Sequence, residues 1–143
     1  MVCAGGHVIY TLVPGVGPFR TIDFPAPIDG GFWWRQVQET VAQAGAQLDI
    51  FPSLHTAYPV YFTLHAWAYR RESPYRYVWF LIAIFAAHMV VATMFLRWHW
   101  FIDVIAGALL ALTARAVGVA VERRERARAD DDDPRQPVWE PLR

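Results

Sequence analysis

The stretch of sequence that decides the fold is Val78-Trp79-Phe80-Leu81-Ile82-Ala83-Ile84-Phe85-Ala86-Ala87. It has no charged residue and is apolar on every side of a helix, which suits a helix surrounded by lipid better than an amphipathic helix on a soluble protein. The longer apolar segment that contains it, residues 77–96, measures about 30 Å as a helix and matches the hydrocarbon core of a bilayer. We therefore predict a membrane-spanning helix here.

Two further apolar segments flank this one, residues 54–69 before it and residues 100–121 after it. The earlier segment is the weakest of the three, because it is short and carries Pro59 and His65. Together they predict an all-α integral-membrane bundle with three full transmembrane helices, which occupy residues 51–122. A soluble all-helical core is the alternative, and the length and uniformity of the apolar runs disfavour it.

The first fifty residues contain no apolar run of the length that crosses a bilayer. Residues 1–20 combine a short apolar run with a Pro/Gly loop, which predicts the remnant of a helix whose beginning is missing. Residues 21–50 predict an outer-face loop with a short amphipathic helix around 32–46, where Trp33 and Trp34 suit the membrane interface. We therefore expect the chain to be N-terminally incomplete.

Two arginine clusters predict the orientation of the bundle. They are Arg70, Arg71 and Arg76, and then Arg123, Arg124, Arg126 and Arg128. By the positive-inside tendency both clusters are cytoplasmic, so residues 51–55 and 97–103 lie together on the outer face.

Residues 123–143 end in an acidic, proline-bearing stretch and are predicted to be a disordered cytoplasmic tail. The formal net charge is zero, which gives no electrostatic case for a nucleic-acid partner.

The first segment that carries chemistry is Phe51-Pro52-Ser53-Leu54-His55. Proline and serine before a long apolar run are a helix-start signature, with Ser53 as the N-cap. A helix start exposes unpaired N–H groups and the positive end of the dipole, so we expect a phosphate to bind here, at Ser53. His55 would lie beside that phosphate and could protonate a departing alkoxide as a general acid.

The second segment runs from Arg97 to Gly107 and contains His99 and Asp103. These two residues are four apart, so on a helix they share one face. An aspartate in this position can fix the tautomer of the imidazole and leave its other nitrogen free to attack. The pattern therefore makes His99 a candidate nucleophile.

The two segments resemble the second and third signature motifs of the type-2 phosphatidic acid phosphatase superfamily, in Phe51-Pro52-Ser53-Leu54-His55 and in His99-x-x-x-Asp103-Val104-x-x-Gly107. The resemblance implies a phosphohistidine mechanism without a metal. In that mechanism His99 is the nucleophile, Asp103 orients it and His55 protonates the leaving group. It also implies a lipid phosphate substrate.

The sequence departs from the superfamily pattern in ways that point to one branch. It contains no lysine, so the first motif, Lys-x6-Arg-Pro, is absent. The stretch Thr93-Met94-Phe95-Leu96 and the upstream Tyr10-x3-Pro14-x3-Pro18 are similar to the inositol phosphorylceramide synthase branch, whose members are inositolphosphotransferases. We therefore expect this branch to be the nearest.

Developing charge on the phosphoryl oxygens needs cationic partners, and Arg20 and Arg97 are the candidates because both flank the outer-face loops. Anchoring of these arginines at the membrane interface is the alternative.

A metal ion held by two histidines and Asp103 is the alternative to the phosphohistidine mechanism. We expect no metal and no cofactor, and Cys3 is the single cysteine.

The resulting functional prediction is a plasma-membrane phosphatase or phosphotransferase that acts on a lipid phosphate ester or diphosphate at the extracytoplasmic face. Two alternatives stay open. One is transfer to an alcohol acceptor instead of water, and the other is a catalytically incomplete membrane fragment with a structural role. The expected partners are membrane lipids and the lipid substrate, and self-association stays open. The sequence does not determine the substrate or the acceptor.

Overall fold

The structure, a computed structural model, describes residues 1–26, 28, 30–44 and 48–130. Its elements in chain order are α1 (Val2–Leu12), α2 (Pro18–Thr21), α3 (Phe32–Ala44), α4 (Leu54–Ala68), α5 (Tyr75–Phe95) and α6 (Phe101–Asp130). These residue ranges contain helices and no strand, which confirms the all-α prediction. The short helix predicted around residues 32–46 is α3, and its location at a membrane interface stays a prediction.

Two of the helices, α5 and α6, are long and apolar enough to cross a membrane. Only 11% of the most apolar part of α5 and 22% of that part of α6 are buried within the molecule. Most of their apolar surface therefore faces outward, which suits contact with lipid better than the interior of a soluble protein.

The prediction of three full transmembrane helices is wrong for α4. This helix has 15 residues and measures about 22 Å, which is less than the hydrocarbon core of a bilayer. The chain leaves the helix at Tyr69 and begins α5 at Tyr75. Among the described residues, only α5 and α6 are long and apolar enough to cross a membrane.

The predicted disordered tail also needs correction, because α6 continues as a helix to Asp130. Ion pairs along one side of the helix connect Glu122 with Arg126 and Glu125 with Arg128. Such pairs at spacings of three and four support a helix that has left the apolar environment. The remainder of the predicted tail, residues 131–143, lies outside the described residues.

The short helix α4 is the centre of the bundle. It packs against α5 on one side and α6 on the other, and α1 contacts both α4 and α6. Small side chains make these contacts close, since Ala57, Ala66 and Ala111 are completely buried. Packing through small residues is typical of helices in membranes, where it brings the backbones near one another.

The closest approach lies where α6 crosses the beginning of α4. A Cβ atom added at Gly107 would overlap the carbonyl oxygen of Ser53, and it would lie 3.2 Å from the Cβ of Thr56. Only glycine fits this crossing. The backbone N–H of Ser53 donates to the carbonyl of Asp103 at 3.0 Å, which ties the two helix starts together.

Candidate active site

The first element of the site is the start of α4, where Ser53 is the N-cap, as predicted. Its Oγ accepts hydrogen bonds from the backbone N–H of Thr56 at 3.3 Å and from the Thr56 hydroxyl at 3.1 Å. The Ser53 side chain is fully buried, so its oxygen holds the helix start and is not open to a ligand. The Ser53 side chain thus positions the helix start, and the phosphate-binding role predicted for Ser53 stays a prediction.

The two histidines that are 44 residues apart in sequence meet at this helix start. The Nδ1 atom of His55 lies 3.3 Å from the Nε2 atom of His99. His55 is exposed, whereas His99 is only 3% exposed. The predicted proximity of residues 51–55 and 97–103 is therefore present in the structure, with one histidine open to a ligand and the other enclosed.

A tight reversal of the chain after α5 presents His99 to the site. Arg97 has a φ of 60°, in the left-handed region that is costly for a side chain other than glycine or asparagine. The N–H of Arg97 donates to the carbonyl of Met94, and the N–H of Trp98 donates to the carbonyl of Thr93, both at 3.1 Å. The sequence did not reveal this turn, because neither glycine nor asparagine marks it.

Asp103 combines two functions in the structure. Its Oδ2 accepts a hydrogen bond from the backbone N–H of Trp100 at 2.7 Å, as an acidic residue in the first turn does when it caps its own helix. The same oxygen lies 3.7 Å from Nδ1 of His99, which is buried and has no hydrogen-bond partner among the described residues. A shift of about 1 Å would complete a hydrogen bond that fixes the His99 tautomer.

The Pro/Gly loop before α2 packs onto the loop that carries His99. The indole N–H of Trp100 donates to the carbonyl of Val16 at 2.9 Å, and the N–H of Phe19 donates to the carbonyl of Arg97 at 3.0 Å. Gly17 lies so close to the carbonyl of Trp98 that a Cβ atom would not fit. Residues 16–19 therefore form a wall of the site. The sequence did not predict this contact, because the two segments are far apart in the chain.

The two arginines predicted to bind phosphate lie on the two sides of this contact. The guanidinium of Arg97, in the loop that carries His99, stacks 3.8 Å from the centre of the Phe24 ring and donates to the carbonyl of Ala26 at 3.1 Å. It therefore contacts residues 24–26, and both phosphate binding and anchoring at the membrane interface stay predictions for Arg97. Arg20 is in α2 with its guanidinium 5.3 Å from the Phe19 ring.

Sequence reasoning missed the contribution of Tyr10. Its hydroxyl oxygen accepts a hydrogen bond at 3.3 Å from the backbone N–H of Leu54, the first residue of α4. This bond satisfies one of the N–H groups that a helix start leaves without a partner. The only sequence signal was the Tyr10-x3-Pro14-x3-Pro18 stretch, which gave no role for the tyrosine.

The enclosure of His99 determines its protonation. Burial, followed by the charge of the neighbouring His55, lowers the pKa of His99 from 6.5 to about 4. His99 is therefore neutral at pH 7 and has a lone pair on one nitrogen, as a nucleophile requires. Within the described residues, no three His, Cys, Asp or Glu side chains are grouped so that they could hold a metal ion.

This pKa shift predicts a loss of stability in mild acid. Protons bind the unfolded, hydrated His99 at a pKa of 6.5 and the folded one at about 4, so protonation favours unfolding. The stability contributed by neutral His99 is complete above pH 6.5 and falls by about 3 kcal/mol as the pH falls to 4. Thermal unfolding in detergent should therefore show a lower Tm at pH 4 than at pH 7.

His99→Gln is the matched control, because glutamine cannot take up the proton. The Tm of this variant should fall less than that of the parent over the same pH range. Equal losses in the two proteins would show that other groups cause the acid sensitivity.

Comparison with known proteins agrees with the geometry. Residues 1–117 match the family model described as the PAP2 superfamily. An uncharacterized protein of Methanocaldococcus jannaschii is 31% identical over 102 residues, which cover 71% of this chain and 37% of the relative. The chain thus corresponds to little more than a third of that relative's length. No solved structure is significantly similar. The match to the family model extends over more than half of the chain, from α1 through the paired histidines into α6, and the chain belongs to the PAP2 superfamily.

Proposed function

We propose that this protein is a membrane phosphatase or phosphotransferase that acts on a lipid phosphate ester or diphosphate through a phosphohistidine intermediate. Membership of the PAP2 superfamily supports an enzyme of the phosphatase type. Two helices long and apolar enough to cross a membrane support a substrate that is itself in the membrane. The reaction and the substrate class are proposals for this chain.

The observation that carries the proposal is the alignment of three groups at one end of the bundle. The Oδ2 atom of Asp103 is 3.7 Å from Nδ1 of His99, and Nε2 of His99 is 3.3 Å from Nδ1 of His55. Asp103 is thus placed to orient the buried, neutral imidazole of His99, which is the nucleophile. The imidazole of His55, on the other side of His99, is the acid that phosphoryl transfer needs.

In the first step, Nε2 of His99 attacks phosphorus, so that a P–N bond forms while the bond to the alcohol oxygen breaks. A proton from His55 moves to the departing alkoxide, and Asp103 stabilises the positive charge that develops on His99. In the second step, water attacks phosphorus and gives a proton to His55, and the P–N bond breaks to release phosphate. Because only 3.3 Å separates Nε2 of His99 from Nδ1 of His55, the exposed His55 ring has to turn aside for the phosphoryl group to enter.

The phosphoryl oxygens need positive partners during this transfer. Arg20 stays the proposed ligand, since α2 packs against the loop of the nucleophile through the Phe19–Arg97 hydrogen bond. Arg97 would have to leave the Phe24 ring and the Ala26 carbonyl before it could bind phosphate. We therefore assign Arg97 to positioning of the loop.

Transfer to an alcohol acceptor is the second candidate. Its support is the Tyr10-x3-Pro14-x3-Pro18 stretch, which is similar to a stretch of the inositolphosphotransferase branch. The position of this stretch in the structure is the second support. Val16 and Gly17 contact Trp100 and Trp98 beside the nucleophile. An acceptor bound against this wall would replace water in the second step and retain the same phosphohistidine.

We also propose that the site faces the extracytoplasmic side of the plasma membrane. The arginine clusters after α4 and within α6 support this orientation, since they belong to the end of the bundle opposite the histidine pair. A membrane segment with only a structural role is the alternative.

The test is phosphate release by the protein in detergent with ³²P-labelled phosphatidate and with a polyprenyl diphosphate, with and without EDTA. The expected result is release that EDTA does not change, and transient labelling of the protein by an acid-labile, alkali-stable phosphoramidate. Release that EDTA abolishes would contradict the metal-free phosphohistidine. No release from either substrate would favour the structural alternative.

A further inference from the structure

A cavity of about 780 Å³ lies between α4 and α5, outside the group of residues assigned to the reaction. Its volume is in the range of small-molecule and lipid sites. The walls are aromatic and aliphatic, and include Tyr58, Phe62 and His65 from α4 and Tyr75, Leu81 and Phe85 from α5. Several of these large apolar side chains are more than half exposed, among them Phe85 at 61%, so the cavity is open along one side.

The cavity and His55 share one face of α4. His55, Tyr58, Phe62 and His65 follow one another at spacings of three and four, so they form one stripe on the helix. His55 is at the N-terminal end of this stripe, and Tyr58 is the first residue of α4 that lines the cavity, less than one turn further on. A group bound at His55 therefore lies within about one helical turn of the cavity.

The far end of the cavity is closed by rings. The His65 ring is 4.7 Å from the Tyr69 ring and 5.4 Å from the Tyr75 ring. The distance along α4 from Tyr58, where the cavity begins, to His65 is about 10 Å, which is roughly two thirds of the hydrocarbon thickness of one leaflet. The cavity thus extends most of the way through one leaflet and ends in a polar aromatic cluster.

We propose that this cavity binds the hydrocarbon chain of the lipid substrate while its phosphate lies between His55 and His99. This inference rests on the proposed function and names the part of the substrate that the enzyme recognises. An apolar wall, a depth of about 10 Å along α4 and a first lining residue one turn from His55 fit a chain that descends from a headgroup at the membrane face. Leu81 and Phe62 are then specificity-determining residues, and the His65–Tyr75 cluster limits the chain length.

Leu81→Trp tests the proposal, because the larger ring narrows the cavity from an exposed position where it does not disturb the helix contacts. Two substrates are compared, dodecyl phosphate and p-nitrophenyl phosphate, which has no chain. The ratio of kcat/KM for dodecyl phosphate to that for p-nitrophenyl phosphate should fall about tenfold in the variant.

Leu112→Trp is the matched control, since Leu112 is similarly exposed on α6 and does not line the cavity. This control should leave the ratio within twofold of the parent. Hydrolysis of both substrates with the same ratio in all three proteins would overturn the chain-binding inference and leave the proposed function intact. Failure of the parent to hydrolyse either substrate would instead remove the proposed function, and the inference with it.

A second measurement locates the chain directly. A dodecyl phosphate that carries a diazirine at the end of the chain is photolysed on the protein, and the labelled peptides are identified by mass spectrometry. Labels on the facing residues of α4 and α5 near Phe62 and Leu81 are expected. Labels confined to α6, or a dimer that Leu81→Trp converts to monomer, would assign the cavity to another occupant.

Discussion

Replacing His99 by glutamine is expected to lower the rate of phosphate release by about 10³-fold or more, and to abolish labelling of the protein by ³²P. Glutamine preserves hydrogen bonding in the buried position but has no lone-pair nitrogen that attacks phosphorus. The measurement is single-turnover release combined with acid-labile label on the protein. His99 is the enclosed member of the pair. Water should therefore not take the place of its imidazole as the nucleophile.

His88→Gln is the control for this substitution. His88 is exposed on α5, and its Nδ1 atom lies 2.8 Å from the carbonyl of Ile84 within the same helix. Its replacement should leave phosphate release within twofold of the parent. A His99→Gln protein that keeps more than about a tenth of the parent rate would exclude His99 as the nucleophile.

The partner histidine gives a result that distinguishes an acid from a nucleophile. His55→Gln should slow release from an alkyl phosphate by about 10²–10⁴-fold. The same variant should lose far less activity with p-nitrophenyl phosphate, because nitrophenolate leaves without protonation. The His99→Gln protein should be inactive with both substrates, and equal losses for both substrates in His55→Gln would contradict the assignment of the general acid.

The second large effect is expected at the helix crossing. Gly107→Ala places a Cβ atom against the carbonyl of Ser53, so α6 and the start of α4 have to separate. The added strain should cost about 1–3 kcal/mol and lower the Tm by about 5 °C or more. Since His55 and His99 are attached to the two displaced helix starts, a shift near 1 Å should also lower kcat by about 10²-fold.

Gly118→Ala on the same helix is the matched control. A Cβ atom at Gly118 meets nothing within 4 Å, and alanine favours the helix over glycine. This variant should be at least as stable as the parent and equally active. If Gly107→Ala gave the same Tm and kcat as Gly118→Ala, the crossing would not be what holds the histidines in register.

The sequence predicted the helical class and the helix positions well, because long apolar runs have few physical alternatives. It failed at the two ends of the bundle region. Residues 54–69 were predicted to cross the membrane because they are apolar, but α4 has 15 residues and is too short to do so. The charge of residues 123–130 indicated disorder, although ion pairs at helical spacing support the end of α6.

The candidate site could be predicted in part for the same reason. His99 and Asp103 are near neighbours in sequence, and topology required the start of α4 to lie at the same end. The roles of Ser53, Arg97 and Tyr10 depended on their contacts, since serine as a cap and serine as a ligand have the same sequence signature. The structure adds the burial of the Ser53 oxygen and the stacking of Arg97 on Phe24, and phosphate binding by these residues stays a prediction.

By itself, then, the sequence determined that apolar helices carry two histidines and an aspartate to one end of a bundle. That much follows from local periodicity, length and charge, which are properties of contiguous residues. Only the tertiary structure decided that His99 is buried and neutral while His55 is open, that Gly107 must be glycine, and that an apolar cavity lies between α4 and α5. Those features arise from atoms far apart in sequence that pack together, and burial and close contact exist only after the chain has folded.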